Sequence, residues 1–182
     1  MNTLPDYLQS DLNFISIGLN PNPLSVEAGY YFANPRNRFW KALNGSRLID
    51  EKMTASEASM DSLFSKYKIG FTDLVKRPST MGKDLRAADY KEYGPELKEK
   101  LLEYQPLIAW FHGQGTYNSY MKYVEGQNAS AQLGLQKQKI GRSHVFVTPN
   151  PSPANAKFSL DDLIRCYDEM VSFRIREAFG MG

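Results

Sequence analysis

Two stretches of this 182-residue chain hold chemically capable side chains at fixed points. In the first, Phe14-Ile15-Ser16-Ile17-Gly18 is a β-branched and aromatic run that reads as a buried strand, and Leu19-Asn20-Pro21-Asn22-Pro23 follows it directly. Neither proline can donate to a ladder, and each biases the residue before it to an extended conformation, so Asn20 is held just past the strand's carboxyl end. That edge is where open α/β sheets bind ligands. A side-chain amide placed there can orient a partner by hydrogen bonds but has no useful basicity. In the second stretch, residues 144–148 read as a strand opening into Pro149-Asn150-Pro151-Ser152, which puts another amide at the same edge. His112 and His144 fall at a strand end and a strand start, and neither has a second ligand at metal spacing, so no metal site is expected. His112 lies on the same ligand-binding edge and could touch a ligand or its pocket, although the ordinary expectation is a satisfied, non-catalytic histidine. Gly113-Gln114-Gly115 is too short for a phosphate-loop motif, although its amides and the helix start behind them could hold a phosphate.

The elements that must carry these residues alternate between strand and helix. Asn34-Pro35 predicts a helix start, with Phe39, Trp40 and Leu43 as its apolar side, and Thr54-x-x-Glu57 predicts a capping box for the next helix. Residues 69–75 read as a second strand and 76–91 as an exposed basic loop. Pro95 heads a helix to Tyr104 whose Leu97, Leu101 and Leu102 share one side. A strand over 107–111, a helix over 116–124 and an edge hairpin strand within 133–140 follow. Ser159, with Asp161 and Asp162 behind it, caps a final helix carrying Leu160, Leu163, Ile164, Tyr167 and Val171. This pattern predicts an α/β fold: a single domain over 1–182 with a central, mainly parallel four-stranded sheet and helices on both faces.

Composition narrows the class. With 42% hydrophobic and 13% aromatic residues the chain can bury one sizeable core. A formal net charge of +2 neither proves nor excludes a nucleic-acid partner, since binding needs a local basic face. The single cysteine, Cys166, excludes an intramolecular disulfide and any four-cysteine metal or iron–sulfur site. No cofactor is expected. Nothing at the start resembles a secretion signal, and no segment approaches about 18 uninterrupted apolar residues. The expectation is a monomer in a bacterial-type cytosol or nucleoid, with no membrane partner.

The two stretches together resemble the uracil-DNA glycosylase superfamily, and most closely its mismatch-specific uracil and thymine-DNA glycosylase branch. The branch's G-I-N-P-G motif is matched by Gly18-Leu19-Asn20-Pro21-Asn22, and its F-x-x-P-x-N-x-F-W pattern by Phe32, Pro35, Asn37, Phe39 and Trp40. Its N-P-S-G motif is matched by Asn150-Pro151-Ser152-Pro153, and a weaker middle match covers residues 70–78. The resemblance implies a monofunctional DNA glycosylase that hydrolyses the N-glycosidic bond of a flipped, deaminated base, uracil first, in mismatches or single strands. It implies catalytic roles for Asn20, which would hold the attacking water, and Asn150, which would help the leaving base. The base pocket would be formed by Gly18, Leu19, Asn22, Ser25, Tyr31 and Phe32. Damaged DNA would be touched by Ser152, Pro153, Ala154, Asn155, Lys157 and Arg77, and the wider basic face would include Arg36, Arg38, Lys76, Lys83 and Lys139. Ala154 stands where the branch places a leucine wedge, and Asn22 replaces a glycine. These departures leave two alternatives open: a hypoxanthine- or xanthine-preferring glycosylase, and a domain that binds damaged DNA without cutting it.

Overall fold

The computed structural model describes residues 2–180. Five strands, β1 (Phe14–Gly18), β2 (Ile69–Asp73), β3 (Ile108–His112), β4 (Gly134–Leu135) and β5 (His144–Thr148), form one sheet in the order β2-β1-β3-β5-β4. The four expected strands are parallel neighbours, and the two-residue β4 pairs antiparallel with β5 inside the segment expected to form an edge hairpin. The free edge of β2 is capped by an antiparallel bridge between Tyr7 and Phe71.

Because successive strand residues point to opposite faces, each strand feeds two cores. Phe14, Phe71, Trp110 and Phe146 pack beneath α2 (Phe39–Gly45), α3 (Glu57–Ser65) and α6 (Leu160–Ala178). Ile15, Ile17, Phe111, Val145 and Val147 pack beneath α4 (Ala87–Tyr104) and α5 (Gln114–Tyr123). The alternation continues to the carboxyl ends, so Ser16, Asp73, His112 and Thr148 all belong to the α2/α6 side. β1 sits between β2 and β3: the chain goes from β1 to β2 on one side and then crosses over β1, through α4, to β3 on the other. Among the described residues no helix is long and apolar enough to cross a membrane.

Helix boundaries depart from the expected ones, and side-chain competition explains why. A helix not expected from the sequence, α1 (Pro23–Ala28), starts where the Asn22 side-chain Oδ1 accepts from the Leu24 N–H, with Pro23 in the first turn. Residues 34–38 are not yet helix: Asn34 and Asn37 accept from the N–H groups two residues on, at Arg36 and Phe39, and such local bonds hold the backbone in turns. α3 is capped by Ser56, not Thr54. α4 starts at Ala87, so Pro95 lies inside it, on its exposed face, and the end of the expected basic loop is helical. On that helix Leu97 and Leu101 are buried while Leu102 is exposed.

Candidate active site

A cavity of about 270 Å³ opens at the carboxyl edge of the sheet and gathers the ends of four parallel strands: Gly18 and Asn20 after β1, Asp73 from β2, His112 from β3 and Asn150 after β5. Leu19, Asn22, Ser25, Tyr31, Phe32, Ser152, Pro153 and Ala154 complete much of its wall, so eleven of the fourteen site residues expected from sequence meet at the cavity. Asn155 and Lys157 line the adjoining groove, and Arg77 lies behind Asn20.

The Asn20 amide is aimed. Its Nδ2 donates to the Arg77 carbonyl at 3.0 Å and to Ser79 Oγ at 2.7 Å, and a carbonyl partner fixes which end of the amide is the donor. Both N–H groups are therefore used, and among the described residues nothing donates to Oδ1. Asn150 is oriented the other way: its Oδ1 accepts from the Ser152 N–H at 2.9 Å, so its Nδ2 is the free end. Gly113, with φ of 101°, lets the backbone pass close by, since a side chain there would start 3.1 Å from the Asn150 Cβ.

Asp73 also lines the cavity, although in the sequence it falls only within the weaker middle match over residues 70–78. It lies opposite Gly18 in the parallel register, and a Cβ at position 18 would lie 2.7 Å from its Oδ1, so only glycine leaves room for this carboxylate. Burial pushes the carboxyl up to about 6; Lys76 Nζ, 3.6 Å away, offsets part of that rise. Lys76 also meets Asp6 at 2.9 Å and the Tyr31 hydroxyl at 3.3 Å. Burial would raise Asp6 too, but Lys76 and Lys100 outweigh it and hold Asp6 below its ordinary value. The alternation along β2 could have flagged Asp73, since it falls two residues after Phe71 on the α2 side.

His112 is fully enclosed, and burial alone lowers its pKa to about 3, so the ring is neutral. Its Nε2 lies 2.7 Å from Ser16 Oγ, while Nδ1 has no partner. Phe32 stacks on Phe39 with centroids 4.2 Å apart and stands 5.2 Å from His112. Its φ of 58° is a left-handed value that a non-glycine residue holds only under local constraint. The constraint is visible: the Ser25 hydroxyl accepts from the Ala33 N–H, and the Trp40 indole donates to the Tyr31 carbonyl. Ser25 is thus a buried helical residue. Tyr31 lines the cavity, but its hydroxyl is turned away, donating to the Pro5 carbonyl.

Three cations expected at DNA are engaged inside the protein. Arg77 forms a bidentate pair with Asp89, at 2.7 Å on both oxygens, which holds the Asp89 carboxyl at about 2. Lys76 is buried in the acidic network described above. Arg38 donates to the carbonyls of Asn155 and Phe158, clamping the loop after Asn150. Lys139 adjoins the Ile140–Ser143 bridge at the amino end of β5, the far edge of the sheet. Arg36, Lys83 and Lys157 remain exposed on the site's side.

The Uracil DNA glycosylase superfamily profile matches residues 5–171. A protein of Schizosaccharomyces pombe named G/U mismatch-specific uracil DNA glycosylase is 33% identical over 159 residues, which are 86% of this chain and 49% of that protein. The chain therefore spans about half the length of this curated relative. The solution NMR structure of a candidate uracil DNA glycosylase from Methanosarcina acetivorans superposes with a TM-score of 0.61 at 21% identity, covering 97% of this chain and 98% of that one, which shows a shared fold.

Proposed function

Because the chain belongs to the uracil DNA glycosylase superfamily, we propose that it is a DNA glycosylase that hydrolyses the N-glycosidic bond of a flipped deaminated base, with uracil in G:U mismatches or single strands as the foremost substrate. The observation that carries this reading is the orientation of Asn20, whose two N–H groups are held by protein and whose Oδ1 is left to accept from a water.

The reaction follows from what each group can do. The flipped base stacks on Phe32, a contact of roughly 1–3 kcal/mol by analogy with other base–aromatic stacks. The C1′–N bond breaks with its electron pair leaving on the base, and the sugar becomes oxocarbenium-like. Asn150 Nδ2 donates a hydrogen bond to the departing base. Water held by Asn20 then bonds through oxygen to C1′. The amide cannot take the proton, so the nearby carboxylate of Asp73 takes it and passes it on to the released base anion. Ionised Asp73 also opposes the positive charge of the sugar. Ser152, Pro153, Ala154, Asn155 and Lys157 form the rim along which the DNA strand lies. Arg77 acts from behind, through the carbonyl that holds Asn20.

The test is a panel of oligonucleotides carrying uracil, thymine, hypoxanthine or xanthine, single-stranded and in each pairing, treated with protein and then alkali. Uracil should give alkali-labile abasic sites first in U:G and single strands. Binding without cleavage of any member would leave a damage-binding domain instead.

A further inference from the structure

The glycosylase reading leaves one buried polar pair at the cavity unused. Ser16 and His112 are each 1% exposed, and their side chains meet at 2.7 Å on the α2/α6 side of the sheet. Two arrangements of the protons are conceivable. If Nε2–H donates to Ser16, the serine hydroxyl proton and the Nδ1 lone pair are both stranded in a dry site. If Ser16 donates to Nε2, the hydroxyl proton and the Nε2 lone pair satisfy each other and a single group remains unpaired, the Nδ1–H. An unpaired buried donor costs roughly a hydrogen bond's worth of stability, and the arrangement with fewer orphans is the one the protein holds.

We propose that Ser16 fixes His112 as its Nδ1–H tautomer and that this N–H donates to a ring carbonyl oxygen of the flipped base, making His112 a second stabiliser of the leaving group beside Asn150. The inference rests on the glycosylase reading and gives it a reason to prefer bases with a keto oxygen. His112 is positioned for the contact: it stands beside Phe32, the ring on which the base stacks, with its plane inclined 64° to that ring, so a base parallel to Phe32 meets the imidazole at its rim. Of the rings around His112, Trp110 and Phe39 are fully buried and fixed in the core, whereas Phe32 is only partly buried and lines the cavity. Phe32 is therefore the ring that shifts as the base seats and opens Nδ1 to it. The proton stays on histidine throughout. When the glycosidic electron pair spreads onto the base oxygen the hydrogen bond strengthens, so the interaction is greater in the transition state than in the ground state. Because the ring's pKa lies far below assay pH, a neutral donor is present across the working range.

Two measurements on the full chain test this. Nitrogen-15 NMR of the free protein, which has only His112 and His144 to assign, should show Nδ1 of His112 protonated, and the signal should move on adding an oligonucleotide with a cleavage-resistant 2′-fluoro-arabino uracil. Single-turnover excision of uracil and of the more acidic 5-fluorouracil should then be compared for wild type, Ser16→Ala and His112→Phe. His112→Phe should lose on the order of 10²-fold on uracil and clearly less on 5-fluorouracil, with Ser16→Ala between; a role in packing alone would slow both bases equally. An Nε2–H tautomer, or equal losses on both bases while the wild type remains active, would overturn the inference and leave the glycosylase reading standing. A wild type that excises no base would overturn both. Should His112→Phe fail to fold, Ser16→Ala and the tautomer decide the matter.

Discussion

At the scale of single residues, the proposed reaction divides the handling of water between Asn20 as an aimed acceptor and Asp73 as a base. Asn20→Ala removes the free Oδ1 together with the two bonds that hold it, so single-turnover excision should fall by on the order of 10²-fold or more while damaged-DNA binding persists. A variant keeping over about half the wild-type rate would remove Asn20 from the mechanism. Asp73, pushed up to about 6, makes a different prediction. The wild-type rate should rise with pH through about 6 and then level, and Asp73→Asn should be slower and lose that limb. The sign for stability is the opposite. A carboxyl whose folded value is raised contributes stability that is present below its ordinary value and lost as pH rises through about 6. Asp73→Asn should therefore unfold like wild type near pH 3.5 and be more stable by about 1–3 kcal/mol at pH 8, as denaturant titrations at the two pH values would show. A gain in stability with a loss of rate is the signature of a buried charge kept for chemistry.

At the scale of elements, the loop between β5 and α6 is held from the other end of the sequence. Arg38, preceding α2, takes the carbonyls of Asn155 and Phe158, and its own N–H donates to the Pro151 carbonyl at 3.1 Å. Asn155 Nδ2 closes the loop on the Asn150 carbonyl at 3.0 Å. Ala154 stands on this fixed loop, exposed at the rim of the cavity, and is too small to fill the gap left by an extruded nucleotide. Without a wedge the cost of unpairing, a few kcal/mol, falls on the substrate. Uracil in single strands and in U:G should therefore be cut faster than uracil paired with adenine, and Ala154→Leu should narrow the gap. Single-turnover rates on the three substrates decide it. Equal wild-type rates would mean that another side chain, Phe158 first, already acts as the wedge.

At the scale of the whole molecule, few cations are left for the phosphate backbone. Of the seven basic residues expected to face DNA, Arg38, Lys76 and Arg77 are engaged within the protein and Lys139 is at the opposite edge. Arg36, Lys83 and Lys157 remain exposed on the site's side. Binding to duplex DNA should then depend on salt with a log–log slope of about −3 or shallower, at roughly −0.9 per phosphate neutralised. A flat dependence would count against DNA as the substrate. A slope much steeper than −3 would mean that other cations carry the contact. Fluorescence anisotropy across a sodium chloride series measures it.

Strand positions and the two site amides were legible in the sequence because both are written in adjacent residues: a β-branched run, a glycine or a proline, and an asparagine fixed between them. That local chemistry placed Asn20 and Asn150 at one edge of a parallel sheet before any contact was known. What the sequence could not show depends on partners far along the chain. Asp73 and His112 look like an ordinary charge and an ordinary histidine until parallel register sets the first beside Gly18, and the fold sets the second beside a serine 96 residues away. Arg38 and Arg77 look like DNA-facing cations until partners up to 120 residues distant occupy them. The helix starts moved for a related reason on a smaller scale, as asparagine and serine side chains took backbone N–H groups that the pattern had assigned to helix. Residue type and local order fix what a group can do. Burial, register and the supply of partners fix what remains free to do it, and those belong to the tertiary structure alone.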